Sequence, residues 1–300
     1  MRKLLLFTLL TALNTPLFAQ PQEVALDPHN LRLKTLISLN HNDLPVTGKG
    51  VLVSVIDSGV SFSVPALRKN LIPGWNFITD DATMVDYSGH GTPVAGIVTI
   101  VAPDVTILPL VTMKDGGLRE DVIDATIYAI QRNASVINLS VTFDEDMLRD
   151  VRKAVGSRKF KKSLLVISSG NTGDRRTDLK STWDNVIVVG TIGLNMPVHS
   201  THYSVYGPAV DIAAPSGDVG DGIATYDAFS SGVHIFNGTS GAAPVVSGAA
   251  ALLKEKYPQA RGADLKRMIL AKACHSKDIN VFNGRLLNVG MLFGVAAKCP

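Results

Sequence analysis

Six short, uninterrupted apolar runs constrain this chain more than any other feature. They are GVLVSVI at 50–56, VTILPL at 105–110, ASVINLS at 134–140, SLLVISS at 163–169, NVIVVGT at 185–191 and VDIAAP at 210–215. A strand with one solvated face alternates apolar and polar residues. A run without alternation is covered on both faces, as in a parallel sheet. Helical patterns lie between several runs. Glu120–Arg132 places Val122, Ile123, Ile127 and Ile130 on one face, and Asp146–Val155 is a second helix. Strands alternating with helices predict an α/β domain with a mostly parallel central sheet. The crossovers are expected to be right-handed.

Such sheets bind ligands beyond the carboxyl ends of their strands. Asp57 follows the first run, Ser140 and Val141 the third, and Gly170-Asn171 the fourth. Two further polar residues stand among glycines. His90 lies in SGHGTPVAG, ahead of a helix starting near Thr92. Ser240 lies in FNGTSGAAP, ahead of a helix over 242–254. A serine hydroxyl needs a general base to act as a nucleophile, and histidine suits that task near neutrality. A carboxylate then fixes the tautomer of the histidine. A helix start offers free N–H groups to a developing oxyanion. Each residue also has a plainer use: Asp57 as a turn residue, His90 at a helix start, Ser240 as a helix cap and Asn171 in a turn. The separations in sequence do not show that they meet.

The chain resembles the subtilisin-like serine peptidases, from about Val46 to Gly294. TGKGVLVSVIDSGV resembles the aspartate segment of that family, GHGTPVAGIV the histidine segment and FNGTSGAAPVVSGAAALL the serine segment. The order Asp, His, Ser is also the family's. The resemblance implies a three-layer subtilisin-like domain over 46–300. It implies Ser240 as nucleophile, His90 as general base and then acid, Asp57 as its orienter and Asn171 as a side-chain donor of the oxyanion hole. The implied activity is a secreted serine endopeptidase that acts on peptide or protein substrates and requires no cofactor. The alternative is a catalytically silent protein that keeps the fold and a peptide groove. An esterase is disfavoured, because GTSGA lacks the last glycine of a G-x-S-x-G elbow.

Several positions depart from the family pattern. Gly241 stands where methionine is usual, which implies a roomier, more flexible site and resistance to peroxide. Val245 replaces a common histidine outside the triad. The segment after the third strand reads Leu139-Ser140-Val141-Thr142-Phe143, without the usual glycine. It is expected to narrow the specificity pocket toward small side chains. Lys114–Gly117 resembles the facing substrate strand. The short link VTIVAPDV argues against the family's calcium loop. Asp80, Asp81 and Asp86 read as solvated carboxylates rather than cation ligands, and His199 with His202 lack further ligands for a metal.

The first residues read as an export signal. Met1-Arg2-Lys3 precedes an apolar run to Leu13 that is too short to span a membrane, and cleavage is expected after Ala19. The protein is therefore expected to be secreted, periplasmic or extracellular, with no membrane contact after cleavage. Residues 20–45 read as an arm or tail. Many secreted family members carry a folding pro-domain. Gln20–Thr47 is short for one, so the chain folds unaided or with a helper supplied by a partner. Removing Arg2 and Lys3 takes the formal charge of +3 down by two, which leaves no electrostatic case for nucleic acid. Cys274 and Cys299 are the two cysteines. Export would allow them to pair, with two free thiols as the other reading.

Overall fold

The computed structural model of the chain describes residues 24, 27–114, 118–141, 143–177, 183–230, 232–295 and 297–300. The export signal over 1–19 lies outside the described residues, as does most of the Lys114–Gly117 segment. Among the described residues a nine-stranded sheet forms the centre, in the order β10-β11-β7-β6-β5-β4-β1-β3-β2. Its members are β1 (Leu52–Asp57), β2 (Trp75–Asn76), β3 (Thr106–Val111), β4 (Val136–Leu139), β5 (Leu164–Ser168), β6 (Val186–Ile192), β7 (Ile212–Pro215), β10 (Cys274–His275) and β11 (Arg285–Leu286). Every pairing is parallel except β10 with β11. All six expected strands are present.

The sheet is covered on both faces, as the unbroken apolar runs require. Successive side chains of a strand point to opposite faces, and the two cores divide that way. Val53 and Val55 of β1, Val136 of β4 and Val166 of β5 enter one core. Ile56, Ile137, Leu139, Leu165 and Ile167 enter the other. The first core packs under helices Gly91–Val101, Thr239–Lys256 and Gly262–Ala271. The second packs under Arg119–Gln131 and Glu145–Val155. The result is the expected three-layer α/β arrangement.

Strand β1 lies between β3 and β4. The chain leaves β1 toward β3 and then returns to the far side for β4. That reversal opens a crevice at the carboxyl end of β1, where Asp57 ends the strand.

The described part of the segment expected to be an arm or tail lies on the domain and carries a helix. Pro28–Leu36 is a helix capped by Asp27, and Leu33, Leu36 and Ile37 are buried. Asn30 donates to the Ala224 carbonyl of β8 (Ile223–Tyr226) at 2.7 Å. Strand β8 pairs antiparallel with β9 (Val233–Phe236), and this hairpin leads directly to Ser240. The C-terminal tail is tied down by a Cys274–Cys299 disulfide with a Cα–Cα distance of 5.5 Å. No helix among the described residues is long and apolar enough to cross a membrane.

Candidate active site

Asp57 is fully buried, and its Oδ1 accepts two hydrogen bonds. One comes from the Ser58 amide at 2.7 Å and the other from His90 Nδ1 at 2.8 Å. A neutral imidazole that donates from Nδ1 carries its lone pair on Nε2, the state a general base needs. His90 is the N-cap of the helix Gly91–Val101. Gly91 lets that helix start touch the Asp57 turn, for a Cβ there would lie 2.0 Å from the Gly59 carbonyl oxygen.

A second carboxylate holds the two loops together. Asp86 is 3% exposed. It accepts from Ser58 Oγ at 2.6 Å, the Gly89 amide at 2.9 Å and the Thr92 amide at 2.8 Å. Ser58 Oγ in turn accepts from the Gly91 amide at 3.1 Å. The reading of Asp86 as a solvated carboxylate is therefore corrected. It caps the histidine helix and braces the residues on either side of His90. The sequence signal was a carboxylate four residues ahead of a glycine-flanked histidine. Burial of the imidazole opposes protonation, but the charge and hydrogen bond of Asp57 and the charge of Asp86 outweigh it, so the His90 pKa is raised.

Ser240 is the second residue of the helix Thr239–Lys256, which starts at Gly238 with φ +90°. Pro244 lies inside this helix. Proline has no N–H, so the Ser240 carbonyl lacks its usual partner four residues on. Ser140, just beyond β4, supplies one: its Oγ donates to Ser240 O at 2.9 Å. Asn138 Nδ2 donates to Ser140 Oγ at 3.0 Å, and Asn138 Oδ1 accepts from Ser247 on the same helix at 2.9 Å. This buried polar chain sets the register of the serine helix on the sheet. The Ser240 hydroxyl makes a long 3.4 Å bond to the Ser140 carbonyl, and no hydrogen bond joins it to His90. Catalytic hydrogen bonds are often loose before substrate arrives.

Asn171 Oδ1 accepts from Thr239 N at 3.0 Å and Thr239 Oγ1 at 2.9 Å. The backbone N–H requires oxygen opposite it, which fixes the orientation of the amide. Nδ2 is thereby turned to the other side, beside Gly238. The Gly170 amide donates to Thr239 Oγ1 at 3.2 Å. Asn171 and the serine helix thus form one unit.

Gly241 does not leave room. A Cβ there would lie 2.2 Å from Ser216 Oγ and 3.3 Å from Phe236 Cδ1. Ser216 and Phe236 fill the space, and Phe236 stacks edge-on against His90 at 5.1 Å between centroids. The expectation of a roomier site at Gly241 is corrected accordingly. Nor does Phe143 narrow the neighbouring pocket; it is 1% exposed and points into the second core. Among the described residues no group of three or more His, Cys, Asp or Glu is arranged to hold a metal. His199 and His202 both face Asp218, at 3.5 and 3.4 Å. Asp81 is engaged in its own turn with Thr79 and Thr83.

A family model described as the subtilase family matches residues 48–291. An intracellular serine protease of Paenibacillus polymyxa is 34% identical over 236 residues, which cover 69% of this chain and 68% of that protein. A thermophilic serine proteinase of Bacillus sp. (strain AK1) is 34% identical over 223 residues; the match covers 70% of this chain and 54% of that longer protein. The crystal structure of a lanthipeptide protease superposes with a TM-score of 0.76 at 21% identity, covering 89% of this chain and 94% of that one.

Proposed function

The chain belongs to the subtilase family of serine peptidases, and from that premise we propose that it hydrolyses peptide bonds through an acyl-enzyme on Ser240. The observation that carries this reading is the His90 Nδ1–Asp57 Oδ1 bond at 2.8 Å, which leaves Nε2 as the base. His90 takes the Ser240 proton as the hydroxyl attacks the substrate carbonyl. The developing oxyanion is met by the Ser240 N–H and Asn171 Nδ2. His90 then passes the proton to the leaving amine and activates the water that releases the acyl group. The residues assigned to these steps need neither metal nor organic cofactor.

Export through residues 1–19 accompanies this reading, with the peptidase domain over 46–300 and the helix Pro28–Leu36 packed on it through Leu33 and Leu36. Substrates are peptides or proteins. The 3.4 Å contact of the Ser240 hydroxyl with Ser140 O is what favours the silent alternative. Labelling of the purified protein with a fluorophosphonate, followed by peptide mapping, decides between them. An adduct on Ser240 that disappears in His90→Ala supports the enzyme. A folded protein that does not react overturns it.

A further inference from the structure

A cavity of about 430 Å³ lies between the carboxyl ends of β4 and β5. Val141 and Gly170 mark its two sides. The Ser140 carbonyl, next to Val141, accepts from Ser240 Oγ, and the Gly170 amide donates to Thr239 Oγ1. The cavity therefore opens beside Ser240, on the Asn171 side. Under the peptidase reading, the leaving amine departs on the side of His90, which protonates it. The acylated residue must lie on the other side, with its side chain in this cavity.

The ionisable residues that line the cavity are Asp174, Arg175 and Arg176. Both arginines are held by a pinned segment. Gly173 N donates to Tyr203 O at 2.8 Å, Tyr206 N to Asp174 O at 3.0 Å and Arg176 N to Tyr206 O at 2.7 Å. Arg176 Nη1 donates to the Ser169 carbonyl at 3.2 Å, and the residue has a further interaction besides. The stem of Arg175 lies against Gly207, where a Cβ would come within 3.1 Å of its Cγ. A guanidinium carries five N–H donors in a fixed fork, so one already anchored can still serve a carboxylate. The described residues that line the cavity thus include two arginines against one carboxylate residue, Asp174.

We propose that this cavity selects an acidic side chain, glutamate or aspartate, on the acyl side of the scissile bond, with Arg175 and Arg176 as the specificity-determining residues. The proposal rests on the peptidase reading given above. A glutamate in the cavity meets charge-assisted donors at its tip and the walls of Val141 and Val205 along its stem. Glutamine has the same shape without the charge, and lysine is repelled.

The test uses four internally quenched peptides that differ only at this residue: Glu, Gln, Leu or Lys. The wild-type protein is compared with Arg175→Gln, Arg176→Gln and the double variant, and fluorophosphonate labelling of Ser240 is followed in parallel. The expected result is a kcat/KM for Glu roughly tenfold or more above that for Gln. The Glu/Gln ratio should fall toward one in the double variant and also as salt is raised. The ratio is internal to each protein, so partial misfolding of a variant does not mimic it. Labelling on Ser240 with Leu or Lys cleaved fastest, with none of the four cleaved, or with a Glu/Gln ratio unchanged in both single variants and the double overturns this inference alone. Absence of labelling in folded wild-type protein overturns the peptidase reading and this inference together.

Discussion

Ser140 Oγ donates to the main-chain oxygen of Ser240 at 2.9 Å, and that oxygen needs the bond because Pro244 cannot provide one. A helix interrupted by proline one turn after the candidate nucleophile is thus completed from a different strand. The bond also places the start of the helix against the end of β4, so it couples the backbone of Ser240 to the sheet.

Ser140→Ala should leave the Ser240 carbonyl and Asn138 Nδ2 without partners. Loss of a buried partner costs about 1–3 kcal/mol. The expected outcome is a loss of unfolding free energy of that order, read as a lowered urea midpoint, together with slower fluorophosphonate labelling. An unchanged midpoint would show that the bond does not hold the helix start.

Asn171→Ala removes the amide whose oxygen is fixed by Thr239 and whose nitrogen is the proposed oxyanion donor. Loss of such a donor lowers kcat by roughly 10²–10³ with little change in KM. Steady-state kinetics on one peptide check this. A change confined to KM would assign Asn171 to substrate binding instead.

The raised His90 pKa fixes the sign of a pH effect. As the proposed base His90 must be neutral, so the acid limb of kcat/KM should lie above the ordinary imidazole value of 6.5. Asp86→Asn keeps an acceptor for part of the loop network but removes a charge that favours protonation. The acid limb should move to lower pH, and the fall in activity should be smaller than in Asp86→Ala. A pH profile with an unmoved limb in Asp86→Asn would confine Asp86 to loop bracing.

Gly241→Met should be destabilising, because its Cβ meets Ser216 Oγ at 2.2 Å. Overpacking of this kind costs about 1–3 kcal/mol. Thermal unfolding measures that loss. The wild type has no thioether next to Ser240, so its activity should survive peroxide better than that of a subtilase with methionine there. Equal inactivation rates in a side-by-side titration would contradict this.

The principal elements were legible because their causes are local. The runs at 50–56 and 163–169 lack polar alternation, and only a sheet covered on both faces accommodates them. The helix over 119–131 follows from the spacing of Val122, Ile123, Ile127 and Ile130. Strands β8 and β9 were missed although IATY and VHIF are of strand length, because the intervening loop carries no two-residue turn signal. The helix Pro28–Leu36 was hidden by a polar composition. Leu33 and Leu36 are buried while Leu31 stays exposed, and Asn30 ties the helix to β8.

The sequence by itself determined the parallel α/β sheet, the glycine-flanked positions of His90 and Ser240, and the placing of Asp57 at a strand end. These depend on the period of apolar residues and on where the backbone must turn tightly. Tertiary structure alone decided that Asp86 braces the histidine, that Ser140 completes the serine helix and that Ser216 occupies the space beside Gly241. The hydrogen-bonded partners Asp57 and His90 stand 33 residues apart, and Ser140 and Ser240 stand 100 apart. A bond between such distant groups leaves no period in the sequence, because folding of the sheet is what brings them within reach.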